Sequence, residues 1–221
     1  DLLHNQAALP SAIPGRYFLA NEHEVGGGAL LWLRDQIGLV RDYDEANELA
    51  AAAPIGSGRA IFTPWLNGER TPVDDHTIRG GWHNLSVTTD RADMVRAVFE
   101  GVAYNSRWLL DTVEAFVKQP LAGLNFIGGG ALSDLWCQIH ADVLDRDIRR
   151  IAEPQHANAR GAAIVAWLAL GRRTLDELAA AITVETTFRP DAAAHAAYEP
   201  LYGEFKKLYA ANKKIHARLN G

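Results

Sequence analysis

Two glycine triplets carry the strongest chemical signal in this sequence. Gly128-Gly129-Gly130 follows the apolar run Leu124-Asn125-Phe126-Ile127 and leads into Ala131-Leu132-Ser133-Asp134. The pattern is strand, tight turn, helix N-terminus. Glycine lets a backbone pass close to a ligand, and a helix start offers unpaired N–H groups and the positive end of its dipole. Such a turn can hold an anion, a nucleotide above all. Tight strand–helix packing is the other reason for glycine there. Gly26-Gly27-Gly28 opens a second helical run, residues 29–37, which closes at Gly38. Two such turns in one chain weigh toward a ligand.

Other reactive groups read more plainly. The run 128–133 approaches the dinucleotide fingerprint GxGxxG/A, with Asp145, Asp147 or Glu153 as candidate ribose acids. It lies past the middle of the chain, however, whereas that fingerprint opens its domain. No GxxxxGK[ST] run is present, which excludes the P-loop. In the charged loop 67–75, Glu69 beside Arg70 is either solvated or an internal brace. Glu100, on the flank of a helical stripe, reads as a solvated or braced carboxylate rather than a catalytic one. The one cysteine, Cys137, lies in an apolar helical pattern and reads as a buried structural thiol. A lone cysteine excludes an intrachain disulfide framework. The eight histidines show neither HxxxH nor HxH spacing, which argues against zinc.

The elements that must position these groups follow from periodicity and breakers. Residues 1–15 read as irregular, with Pro10 and Pro14 as breakers, and 16–20 as a short β-rich run. Residues 44–53 form a short helix stopped by Pro54; 60–66 and 82–87 read as strands, the second half-buried. Residues 90–117 are the longest helical pattern, capped by Thr89 or Asp90, with apolar residues mostly on one stripe. Gly101 interrupts it, and close approach of another backbone would explain a mid-helix glycine. Residues 147–151 read as a strand and 157–168 as a small-residue helix suited to close sheet packing. The C-terminal helix, 192–219, contains Pro200, which would mark its first turn. Strands, glycine turns and helices in alternation argue an α/β layered domain.

Composition bounds the rest. With 221 residues, 48% of them hydrophobic, the chain can bury one large core or two small ones, and one α/β domain is the simpler reading. A net charge of −5 gives no nucleic-acid footprint. No apolar run approaches the ~18 residues of a membrane span, no signal peptide opens the chain, and a reducing cytoplasmic setting fits. The chain begins at Asp1 rather than Met, so a fragment of a longer protein is expected.

Further along, Gly80-Gly81-Trp82-His83-Asn84-Leu85, seven residues, then Asp93-Met94-Val95-Arg96-Ala97-Val98-Phe99-Glu100 resembles the second signature of the FGGY carbohydrate kinases. Asn84 stands where that pattern has glycine. Gly26-Gly27-Gly28-Ala29-Leu30-Leu31-Trp32-Leu33-Arg34-Asp35, Gly68-Glu69-Arg70-Thr71-Pro72 (typical of the xylulokinase branch), the run 128–144 and Arg160-Gly161-Ala162-Ala163 are similar to further family segments. The resemblance covers residues 15 to 210, roughly.

The resemblance implies an α/β fold: a ribonuclease-H-like, actin-like ATPase lobe, a mixed sheet with helices on both faces. It implies that residues 1–221 are a single domain, the C-terminal lobe of a two-lobe sugar kinase whose N-terminal lobe is absent. The implied reaction is ATP-dependent phosphorylation of a sugar or polyol hydroxyl, with Mg²⁺, and a xylulose-type pentulose as acceptor. Catalytic residues are expected in the missing lobe, so the fragment alone is expected to be inactive. Gly129 and Gly130 would pass close to adenosine, Asp134 would contact adenine, and Gly27 and Leu31 would line the pocket's other side, Leu31 by packing alone. ATP, a small sugar and the N-terminal lobe are the implied partners, with a homodimer left open. A dinucleotide-binding domain of an oxidoreductase and a non-catalytic actin-like module are the alternatives.

Overall fold

The computed structural model describes residues 6–221 apart from 12 and 14. The chain opens with β1 (Ala7–Pro10) and β2 (Tyr17–Ala20), an antiparallel ribbon in which Pro10 faces Tyr17. The sequence suggested irregular chain for the first of these. Its four residues do not alternate, and only pairing with β2 makes them a strand; Pro10 is tolerated at the strand's end. The expected breaker Pro14 lies outside the described residues.

Helix α1 (Gly28–Asp35) starts on the last glycine of the first triplet and buries Ala29, Leu30 and Leu33. Helix α2 (Tyr43–Ala52) is capped by Asp42, whose carboxylate accepts the Glu45 N–H at 2.8 Å. Strands β3 (Ile61–Thr63) and β4 (Gly81–His83) pair antiparallel. Both are shorter than the expected strands. Strand β4 ends where Asn84 takes φ +61°, and residues 84–87 are exposed rather than half-buried. Asparagine is among the few residues that adopt this conformation at low cost.

Helix α3 (Arg91–Val117) is the spine of the core. Asp90 and Asp93 close its N-terminus as a reciprocal capping box. One apolar stripe was expected, yet every residue from 95 to 105 is buried. Its polar members, Arg96, Glu100 and Asn105, therefore need internal partners. Gly101 faces the backbone of β3: a Cβ there would sit 2.1 Å from the Phe62 carbonyl oxygen.

The second half runs β5 (Gly123–Phe126), a 3₁₀ turn (Gly129–Leu132), α4 (Asp134–Leu144), β6 (Asp147–Ile151), α5 (Ala157–Ala169), α6 (Leu175–Ala180), β7 (Val184–Phe188) and α7 (Ala192–Asn220). Strands β5 and β6 are parallel, and β7 joins β6 antiparallel, so this sheet is mixed. Helix α4 lies between the sheet and α3, and α7 packs on both helices. Pro200 lies inside α7 rather than in its first turn. Asp191 already caps the helix through the Ala194 N–H at 2.8 Å, and Ala194 and Tyr198 enter the core before the proline.

The single expected sheet is three small sheets among the described residues. Helix α5 buries none of its residues, against the close sheet packing expected of its Gly/Ala face. The core gathers instead around α3, with α1, α2, β3, α4 and α7 closing on it.

Candidate functional site

A cavity of about 590 Å³ opens between α1, α2 and the glycine turn that precedes α4. Gly27, Gly28, Leu30 and Leu31 form one side; Tyr43, Asp44 and Asn47 form a second; Gly129, Gly130, Leu132, Ser133 and Trp136 form the third. Cavities of this size hold nucleoside-sized ligands.

Each wall is fixed by contacts behind it. Helix α1 turns Ala29, Leu30 and Leu33 into the core, which leaves Leu31 partly exposed on the cavity side. Helix α2 is clamped to α3 by Glu45, which accepts the Arg41 backbone N–H at 2.6 Å and pairs with Arg91 at 2.8 Å. These bonds, the Arg41 N–H first, hold the Glu45 carboxyl at about 2. The Arg34 guanidinium lies 5.0 Å from the Tyr43 ring centroid. Asn47 donates to the Tyr43 carbonyl at 2.7 Å and accepts from the Ser133 hydroxyl, which links the second wall to the third.

The glycine turn differs from the expected one. Helix α4 does not follow the triplet at once; a 3₁₀ turn intervenes, and Ser133 caps α4 through the Trp136 N–H at 3.0 Å. Gly128 takes φ +85° and donates its N–H to the Pro154 carbonyl at 2.8 Å. A Cβ on Gly130 would lie 3.1 Å from the Trp136 ring, so packing explains that glycine. A Cβ on Gly129 would meet nothing within 4 Å. Trp136 is held in turn by its Nε1–H to the Phe99 carbonyl at 3.0 Å.

Four of the five residues singled out in the sequence, Gly27, Leu31, Gly129 and Gly130, thus line one cavity. Asp134 is not among its lining residues. Its side chain is 76% exposed, and its carboxylate is ion-paired with Arg150. The same guanidinium reaches the Ala131 carbonyl at 3.5 Å and lies 5.5 Å from the Phe188 ring centroid. Tyr43, Asn47 and Trp136 escaped the sequence reading, because residues 44–53 presented only as a short helix and Trp136 only as part of the family-like run 128–144. Among the lining residues Asp44 alone is charged. The walls suit an uncharged, partly aromatic group better than a cluster of phosphates.

Two buried carboxylates brace the surroundings. Glu69 is fully buried, and its carboxylate accepts the N–H groups of Glu24 (3.1 Å) and Arg70 (2.9 Å) and the Asn105 amide (2.6 Å). His23 Nδ1 lies 3.5 Å away. Burial pushes the Glu69 carboxyl up, but His23, Asn105 and the Arg70 N–H outweigh it and hold the group below its ordinary value. The brace fixes residues 23 and 24 just ahead of Gly26-Gly27-Gly28. Glu100 accepts from Gly56 N–H (3.0 Å), Ser57 (2.7 Å), Arg96 (2.7 Å) and Tyr198 (3.0 Å). Both carboxylates are spent on structure. So is Cys137, fully buried, with burial pushing its thiol up to about 11. Among the described residues no group of three or more His, Cys, Asp or Glu is placed to hold a metal ion. No helix among them is long and apolar enough to cross a membrane.

Comparison with known proteins agrees with this layout. The profile of the FGGY family of carbohydrate kinases, C-terminal domain, matches residues 3–170. The xylulose kinase of Staphylococcus epidermidis is 32% identical over 212 residues, covering 94% of this chain and 42% of that protein. The glycerol kinase of Enterococcus casseliflavus is 34% identical over 214 residues, covering 95% and 42%. A ligand-bound xylulose kinase structure from Lactobacillus acidophilus superposes with a TM-score of 0.86 at 26% identity, over 97% of this chain and 44% of that one. The chain spans less than half the length of the relatives it matches.

Proposed function

The chain belongs to the FGGY family of carbohydrate kinases, as a C-terminal domain, and from that premise we propose that residues 1–221 are the nucleotide-side lobe of a two-lobe enzyme that phosphorylates a sugar or polyol hydroxyl with ATP. A xylulose-type pentulose is the first acceptor to test, because the relatives include xylulose kinases. The observation that carries the reading is the cavity between α1, α2 and the glycine turn.

In this reading the cavity takes the adenosine half of ATP. Gly129, whose Cβ position is open, lets the base approach the turn, and Gly27, Leu31 and Tyr43 form the facing walls. Asp134 acts through Arg150, whose contact with the Ala131 carbonyl steadies the turn. With Asp44 the one charged lining residue, the triphosphate and its Mg²⁺ are held elsewhere in the intact enzyme. Transfer breaks the bond between the γ-phosphorus and ADP, forms a new one to the acceptor oxygen, and releases the hydroxyl proton to a base. We assign that base, the sugar site and closure against water to the preceding lobe. A cytoplasmic setting accompanies the proposal, and a second copy of the chain remains a partner to test by sedimentation.

Calorimetric titration tests the cavity directly. ATP and adenosine should bind this chain with similar weak affinity, and NAD should bind no better than adenosine. Tyr43→Ala or Leu31→Asp should weaken adenosine binding at least fivefold. Affinity that grows with the phosphates and is untouched by both variants would sink the assignment.

A further inference from the structure

Four successive residues, Gly56 to Arg59, take φ between +51° and +81°. Left-handed backbone crowds a Cβ against the following carbonyl, so it is met as single residues rather than as runs. Gly56 and Gly58 escape that cost; Ser57 and Arg59 do not. The turn is held from several sides. Glu100 accepts the Gly56 N–H at 3.0 Å and the Ser57 hydroxyl at 2.7 Å. Leu201 of α7 packs so closely that a Cβ on Gly56 would lie 2.8 Å from its Cδ1. Asn84, which stands where the family pattern has glycine, donates its amide to the Arg59 carbonyl at 3.1 Å. Strain kept up by three separate contacts points to a use for the side chain it presents.

That side chain is Arg59. It is exposed, and among the described residues no acid or carbonyl pairs with its guanidinium. It stands on the wall of a second cavity of about 890 Å³, larger than the first, between this turn, the paired strands β3 and β4, and α7. Most of the wall is apolar, with Ile55 beside the turn, Ile61 of β3, and Pro200, Leu201 and Leu208 of α7. Its polar groups are few, as in ligand sites generally. Glu204 is engaged by Lys207 at 2.8 Å. His83 meets the Thr63 hydroxyl through Nε2 at 3.2 Å, and burial, with His216 nearby, pushes its pKa down and keeps the ring neutral. Arg59 is therefore the one cation on the wall. The two cavities share no lining residue.

We propose that this cavity is a second ligand site and that it takes an organic monocarboxylate with an apolar body of about a dozen non-hydrogen atoms, its carboxylate on Arg59 and its body over Ile55, Ile61 and Leu201. One free guanidinium matches one negative charge. Glu204 on the same wall repels a second, which separates this site from one built for nucleotide phosphates. The site does not depend on the first cavity binding ATP.

Phenylbutyrate is the probe, titrated into this chain by calorimetry, with phenylbutanamide as its uncharged match. The acid should bind at millimolar concentration, and the amide about tenfold more weakly. Arg59→Gln should weaken the acid about fivefold and leave the amide unchanged. Arg59→Gly should abolish the preference for the acid while the thermal midpoint holds or rises, because glycine relieves the φ of +72°. Hydrogen exchange in the presence of the acid should slow at residues 54–60 and stay unchanged at 128–134. Four outcomes would each overturn the proposal: no binding of the acid at millimolar concentration, equal binding of acid and amide, an acid affinity untouched by Arg59→Gln, or tighter binding of phenyl phosphate than of the acid. Displacement of the acid by adenosine would overturn it too, since the probe would then sit in the first cavity.

Discussion

Glu69 shows how one side chain sets a whole rim of the site. Its carboxylate gathers two backbone N–H groups and the Asn105 amide in a place water does not reach. Glu69→Ala leaves those donors buried and unpaired and should lower unfolding free energy by about 3 kcal/mol. Glu69→Gln turns an amide toward donors and should cost about 1–2 kcal/mol. Urea denaturation measures both, and adenosine affinity should fall in step, because Gly27 follows the braced segment. Its folded pKa is depressed, so its contribution is complete above its unfolded value and is lost as pH falls through the lower folded one. His140 acts at higher pH. Buried against Phe126 and Trp136, with Nδ1 2.8 Å from the Trp136 carbonyl, its ring is held neutral and its pKa pushed down to about 4. The unfolded chain then binds the proton first. Stability should be full above about pH 6.5 and fall toward pH 4, by about 3 kcal/mol from this group. The slope should flatten in His140→Gln; an unchanged pH profile would contradict the buried neutral ring. The sequence presented Glu69 as either brace or solvated loop; only the approach of α3 and residues 23–24, distant in the chain, decides for the brace.

Helices repeat the lesson with glycine. Gly101 in α3 and Gly203 in α7 both interrupt helices, and by intrinsic propensity alanine should stabilise either by about 1 kcal/mol. Their surroundings reverse one sign. A Cβ on Gly101 would strike the Phe62 carbonyl at 2.1 Å, whereas one on Gly203 meets nothing within 4 Å. Gly101→Ala should therefore destabilise by about 2–3 kcal/mol through a forced shift of β3, and Gly203→Ala should stabilise by about 0.5–1 kcal/mol. Thermal melts of the two variants should move in opposite directions. Element existence was readable where periodicity and caps agreed, as in α3 with Asp90 and Asp93. It was not readable in β1, whose identity comes from its partner, or in the 3₁₀ turn at 129–132, where the turn's length is set by Trp136 and Pro154 behind it.

At the scale of the molecule, the chain is expected to bind nucleotide weakly and to turn nothing over. Incubated with Mg-ATP and xylulose, it should release no sugar-dependent ADP in a coupled assay; measurable turnover would refute the division of labour between lobes. With α5 unburied and only small sheets among the described residues, the chain is expected to unfold at a low thermal midpoint, which a melt followed by circular dichroism measures.

Some of this was settled by local order along the chain. Signature spacing from Gly80 to Glu100, the glycine turns and the helix caps depend on neighbours a few residues away, so the sequence alone determined the family, the α/β class and four residues of one cavity. The third dimension decided the rest. Tyr43, Asn47 and Trp136 became walls because α2 and α4 close on one another through Asn47 and Ser133. Asp134 stands outside the cavity, its exposed carboxylate paired with Arg150 of β6, a partner sixteen residues on. Burial and pairing are sums over contacts between distant segments, and no local pattern records them.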